Sequence, residues 1–165
     1  MHTTSLVDPI IAQHHRIAAV VDGLDGAQLG RVILPSGWTP AGMLLHVGAT
    51  TRFWCREVVL GMPVAAVVDE GSPFTAPPVQ VATELVRGFV AGAVADLETV
   101  RGLPLDAAPA WWPKGRWGGW RLTDLEEVLL HLLVETSTHA GHLDAARELV
   151  DGGTFDHATG TVRKR

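Results

Sequence analysis

The 165-residue chain is 47% hydrophobic and 19% charged, with a formal charge of −5 from 13 basic against 18 acidic side chains. Its length fits one domain, which can bury roughly 70% of its unfolded surface and needs no disulfide or metal staple merely to fold. The composition excludes a disordered chain, the acidic balance argues against a nucleic-acid partner, and the single cysteine, Cys55, rules out an internal disulfide and a CxxC zinc site.

Met1-His2-Thr3-Thr4-Ser5 has no basic start leading into an apolar stretch, and no later apolar run approaches membrane-spanning length. A cytoplasmic protein with no membrane partner is expected. From about Leu6 to Leu24, Ile10, Ile11, Ile17, Val20, Val21 and Leu24 recur at three- and four-residue spacings and predict a first helix. Gly23, Gly26 and Gly30 break it, and Leu34 to Trp38 reads as a loop. The second helix has a marked start: Thr39 as N-cap and Pro40 at the first helical position, where its missing N–H does no harm. It runs to about Leu60 and stops at Gly61 and Pro63. Pro73, Pro77 and Pro78 make Val64 to Pro78 a long crossover connection, with a short strand at Val64 to Val68. A third helix, about Val79 to Arg101, is rich in Ala, Val and Leu and ends at Gly102 and Pro104. A loop carrying Trp111, Trp112, Trp117 and Trp120 precedes the fourth helix. Thr123 and Glu126 open that helix as a capping box, and its pattern continues to Val150 before Gly152-Gly153. Thr154 to Arg165 has no apolar face to dock it and reads as a frayed, flexible tail. Amphipathic helices joined by a long crossover predict an all-α four-helix bundle over residues 1–153, with the tail at 154–165.

In the fourth helix a rotation of about 100° per residue places His139, His142 and His131 within about 40° of Glu135. They flank the apolar stripe of Val128, Leu132, Leu143 and Ala146. A bundle buries that flank, where an unpaired carboxylate is costly. These groups must bond to one another and to neighbouring helices, or hold a cation. A rise of about 1.5 Å per residue lets His131/Glu135, Glu135/His139 or His139/His142 converge, but leaves His131 and His139 about 12 Å apart. Each pair gives two ligands, so a third must come from another helix. His46 is the candidate, on an inner face of the second helix with Met43, Thr50, Phe53, Glu57 and Leu60. Taken alone, His46 reads as a hydrogen-bonded core histidine and Glu135 as a salt-bridge partner. Their coincidence with His139 and His142 favours a three-ligand site with an open position, as in catalytic zinc, and one that also suits nickel, iron or manganese.

Cys55 lies about 180° round its helix from His46 and reads as packing rather than as a nucleophile. His14 and His15 begin no constellation and read as surface residues; His157 falls in the tail and His2 is terminal. No GxSxG elbow or phosphate-binding order of glycines is present. The tryptophan loop reads either as a packed closure of the bundle end or as a wall over a substrate pocket beside the metal. In the second reading Trp120 belongs to the wall and Arg116 or Arg121 binds a substrate carboxylate. Leu130, Leu133 and Val134 point away from the inner stripe, which favours a homodimer.

Thr39-Pro40-Ala41-Gly42-Met43-Leu44-Leu45-His46, the helix end from Glu57 to Gly61, and Leu130-His131-Leu132-Leu133-Val134-Glu135-Thr136-Ser137-Thr138-His139-Ala140-Gly141-His142 resemble the DinB/YfiT-like superfamily. The likeness covers about residues 5 to 153 and is to an actinobacterial DinB-like branch, itself similar to the N-terminal domain of mycothiol-dependent maleylpyruvate isomerase. It implies an up-down-down-up bundle with a divalent metal near one end. The implied ligands are a histidine late in the second helix and two residues four apart in the fourth. His46, Glu135 and His139 match these positions; many relatives have histidine at both fourth-helix positions, whereas the isomerase branch has glutamate and histidine, as here. His142 stands where many relatives have glutamine or aspartate, and either replaces a ligand or orients His139 or a bound water. Several characterised relatives are transferases or isomerases that use a low-molecular-weight thiol such as mycothiol or bacillithiol. A free thiol titrates at about 8.5, and coordination to a divalent cation, here zinc or nickel, favours the nucleophilic thiolate. The expectation is therefore a mycothiol-type transferase or isomerase joining a small thiol to an electrophile, with His142 or Glu57 as the candidate general base. The alternatives are a non-catalytic metal- or small-ligand-binding module and a metal-free structural dimer.

Overall fold

The chain runs through α1 (Thr3–Val21), α2 (Gly26–Leu29), α3 (Pro40–Arg52), a π-helical continuation (Phe53–Val59), α4 (Val79–Glu98), α5 (Leu125–Asp151), β1 (Gly153–Asp156) and β2 (Thr161–Lys164). This computed structural model describes residues 3–63, 79–115 and 117–164, with only the backbone at Thr4 and residues 79–82. The described residues are mostly helical, as expected of an all-α chain. The crossover and the short strand expected within Val64 to Pro78 lie outside them. α1 packs on α5 and α4, and α3 packs on α4 and α5, so each long helix has two long neighbours.

Local chemistry accounts for most of the helix ends. Thr39 is extended and its hydroxyl accepts from the Gly42 N–H at 3.1 Å, with Pro40 next to it in the first turn. Asp25 and Gln28 form a reciprocal capping box that starts the short α2, between the glycines expected to break the first helix. The capping of α5 is displaced by one residue from the expected Thr123/Glu126 pair. Asp124 is the N-cap, accepting from the Glu127 N–H at 2.9 Å, and the Glu127 carboxylate reaches back to the Thr123 N–H. Aspartate is as good an N-cap as threonine, so both registers were available to the sequence. Gly152, at φ 76°, closes α5 in the left-handed conformation that glycine adopts without penalty.

The second helix departs from a uniform α-helix at Phe53, where i→i+5 bonding takes over as far as Val59. Each residue in the wider turn rotates by a smaller angle, so phases counted from His46 drift beyond Arg52. Asp96 of α4 is buried beneath this segment, paired with Arg56 and with Arg52 at 3.6 Å.

Residues 154–164 form a hairpin where a frayed, flexible tail is expected. Thr154 pairs with Arg163 and Phe155 with Val162 in an antiparallel hairpin. Phe155 packs against the core, Lys164 Nζ lies 3.0 Å from Asp151, and Arg16 stacks over the Phe155 ring. One aromatic residue supplies the docking face that a count of apolar residues overlooks.

Two apolar clusters fill the interior. The first joins Leu6, Val7 and Ile10 to Trp54–Val59 of the π segment, Leu97 and Val100, and Leu125–Leu132. The second joins Ile17, Val20 and Val21 to Ala41–Val47, Phe89, and Ala140–Ala146. Between them lies a polar layer: His14 on α1, Thr51 on α3, and Glu135, Thr136 and His139 on α5 each fall between the cluster residues of their own helix, and His46, beside Val47 on α3, reaches Glu135. His14, expected at the surface, is fully buried in this layer.

Candidate metal centre

Three side chains converge in that layer. Glu135 Oε1 lies 3.0 Å from His46 Nε2 and 3.0 Å from His139 Nε2. Glu135 and His139 are one turn apart on α5, and α3 brings in His46 from across the helix interface. The two imidazoles meet edge to face, with centroids 4.8 Å apart. Their side chains are 22%, 27% and 13% exposed for His46, Glu135 and His139, so the group is shielded yet open to a small molecule. His139 and then His46 hold the Glu135 carboxyl well below the usual carboxylate range, against the opposing effect of partial burial.

The donor set fits a divalent cation. One ligand atom from each residue, two imidazole nitrogens and a carboxylate oxygen, all lie within 4.8 Å of one another. Both Nε2 atoms face the same oxygen, so a cation among them would take two neutral imidazoles and one anionic oxygen, a set that zinc and other first-row metals accept. Binding would leave His139 with its proton on Nδ1. That nitrogen is 3.5 Å from His142 Nδ1, while His142 is exposed and stands outside the triad. His142 thus borders the ligands without converging on their common point.

The other expected residues are dispersed. Glu57 is partly buried but eleven positions beyond His46, roughly 15 Å along the helix axis, too far to act at the triad. Arg116 lies outside the described residues. Arg121 is exposed, with its guanidinium carbon 5.8 Å from the centre of the Trp112 ring. Cys55 is fully buried in the first cluster, and burial, reinforced by the charge of Asp96, pushes its thiol far above the ordinary range. Leu130 and Val134 are exposed, but Leu133 packs against the first cluster, which narrows the outward apolar face of α5.

Trp120 and His131 belong to an aromatic cluster with Trp54, Trp112 and Trp117. Trp54 stacks on Trp117 at 5.5 Å and 15°, and Trp112, Trp117 and Trp120 meet pairwise within 5.7 Å. His131 lies against Trp54 at 4.9 Å and Trp120 at 5.5 Å. The loop is pinned where Ala110 and Trp111 donate to the Val59 and Val58 carbonyls, which the π segment leaves free. Sequence reasoning missed His14 and Thr51 in the polar layer; a histidine four residues from both Ile10 and Ala18 on an inward-facing stripe was the available signal.

The family model for mycothiol-S-transferases matches residues 5–152, and the chain belongs to this DinB/YfiT-like family. No curated protein and no solved structure matches it. Among the described residues, no helix is long and apolar enough to cross a membrane.

Proposed function

We propose that this chain is a divalent-metal-dependent thiol S-transferase that joins a mycothiol-type thiol to a small electrophile. The convergence of His46, Glu135 and His139 on one point carries the reading, and membership of the mycothiol-S-transferase family supports it. Zinc or nickel suits the two-nitrogen, one-oxygen donor set. When bound, the metal supplies a Lewis acid that lowers the pKa of a thiol.

The chain's own residues do the rest. The His46 and His139 imidazoles and the Glu135 carboxylate define the site and leave one side open. His142 accepts the His139 Nδ1–H and so fixes the ligand tautomer; with that lone pair engaged its other nitrogen already carries a proton, and the proton that the thiol loses passes to solvent. The sulfur electron pair then forms the bond to the electrophilic carbon, and the leaving group departs with the pair of the bond that breaks. Trp120, in contact with His131 one turn before Glu135, is the side chain of the tryptophan loop that supports a substrate wall in this reading.

The bundle is up-down-down-up in this reading. α1 and α5 meet the first cluster before the second along the chain, whereas α3 and α4 meet them in the reverse order. A homodimer through Leu130 and Val134, and a cytoplasmic site of action in the presence of the thiol, complete it.

Elemental analysis of the purified protein, followed by thiol consumption with mycothiol and a panel of electrophiles, tests the proposal. One divalent ion per chain and metal-dependent turnover are expected. Tight metal and thiol binding without turnover on any electrophile would leave a binding module instead.

A further inference from the structure

Resting on the transferase reading, we infer that the exposed ring of Trp120, with His131 beside it, is a stacking subsite for a planar, conjugated electrophile.

The aromatic cluster divides by exposure. Trp54 is 3% exposed, and Trp112 and Trp117 pack against the first apolar cluster. Trp120 is different. It meets Trp54, Trp112, Trp117 and His131, yet is 44% exposed. An indole held in place by several rings and still open to solvent is a preorganised apolar surface, which gains stacking energy without first losing side-chain freedom.

Its position gives that surface a use. His131 precedes Glu135 by one turn on the same flank of α5, about 6 Å along the axis. The Glu135 charge acts on the His131 ring. A flat group lying against Trp120 and His131 is therefore about one helical turn from Glu135 and the triad, where the thiol sulfur is expected. The π segment adds an independent sign. α3 leaves the α-helical register just past the stretch bearing His46, and the first residues of the wider turn, Phe53 and Trp54, are those that meet the loop tryptophans and His131. π turns within helices occur mostly at functional sites.

The probes are two thioethers of N-acetylcysteine, one S-(2,4-dinitrophenyl) and one S-methyl, titrated into the full chain and followed by tryptophan fluorescence and calorimetry. Metal content is measured on the same sample. The dinitrophenyl thioether should bind about 2- to 12-fold more tightly than the methyl thioether, the scale of one aromatic contact. Trp120→Ala should abolish that preference while leaving the affinity for the methyl thioether unchanged. Trp120→Leu, which keeps apolar bulk, should lose most of the preference too. Equal affinity of the two probes for the wild-type chain overturns the subsite, as does an equal loss for both probes in either variant. A chain that takes up no metal but still prefers the aromatic probe would sink the transferase reading and leave the stacking surface standing.

Discussion

His14 Nε2 lies 3.0 Å from Thr51 Oγ1 and ties α1 to α3 through the polar layer. His14 Nδ1 donates to the Ile10 carbonyl at 2.8 Å, and the Thr51 hydroxyl lies 2.9 Å from the Val47 carbonyl. A neutral imidazole has one N–H and a threonine one O–H, so Thr51 must divide its proton between His14 and Val47. Replacing Thr51 by Val keeps the shape and leaves Nε2 buried without its partner. The expected loss is about 1–3 kcal/mol in urea unfolding. A Thr51→Val protein as stable as wild type would mean that this hydrogen bond contributes nothing net.

The same histidine makes stability depend on pH. Burial, the dominant cause, and the neighbouring His15 charge lower its pKa, while the bond to Ile10 opposes them. The unfolded chain, titrating at about 6.5, therefore binds the proton first. Stability is full above that value and is lost as pH falls through it towards the lower folded pKa. Burial lowers His131 in the same direction. The urea midpoint should drop between about pH 7.5 and about pH 5.5, and His14→Met should flatten part of that slope. An unchanged slope in His14→Met would assign the dependence to other groups.

Metal content should follow the triad. Glu135→Ala or His139→Ala each removes one of the three ligands and should strip most of the bound ion, read by elemental analysis. Binding to the native state stabilises it by about 2.7 kcal/mol when free metal is a hundredfold above Kd, so a chelator should lower the Tm of wild type and leave these variants unmoved. Full occupancy in both variants would show that the ion sits elsewhere.

His142 separates a ligand from a supporting group. It faces Nδ1 of His139, not the point shared by the Nε2 atoms and Glu135 Oε1. His142→Ala should keep one ion per chain and weaken its affinity by about 10–100-fold, the usual effect of removing an outer hydrogen-bond partner. Complete loss of metal would make His142 a ligand.

The helical periodicities, Thr39, Pro40 and the one-turn spacing of Glu135 and His139 were readable because each depends on neighbours in sequence. The pairing of α5 with His46 was reachable through the family likeness, since spacing alone left three α5 pairs open. What escaped depends on tertiary partners. His14 is satisfied in the interior because the Thr51 hydroxyl, 37 positions away, can donate to its Nε2. The π register of Phe53–Val59 goes with a loop that caps its free carbonyls through Ala110 and Trp111. The wheel phase of Glu57 looked favourable, yet its axial distance from His46 excludes it, because a wheel discards height along the helix. The hairpin after Gly152 depended on Phe155 finding the second cluster.

Arg147 ties α5 to the end of α1, and through Asp151, which accepts from the Gly153 N–H and faces Lys164, it supports the hairpin. Only 3% exposed, it donates to the Val20 and Asp22 carbonyls at 2.6 and 2.8 Å and to both carboxylate oxygens of Asp151 at 2.8 and 3.1 Å. The guanidinium is the main cause that holds the Asp151 carboxyl well below its ordinary range, so this contribution is present above about pH 4 and is lost as pH falls below it. Arg147→Met fills the space but leaves two carbonyls without their donor and the Asp151 carboxylate with only Lys164 and the Gly153 N–H, at an expected cost of at least about 2 kcal/mol, since each buried group left unsatisfied costs about 1–3 kcal/mol. Arg147→Lys restores the charge without the planar fork and should recover only part of the loss. Urea unfolding at neutral pH gives both numbers. A loss below about 1 kcal/mol in Arg147→Met would show that the hairpin and α1 do not depend on this guanidinium.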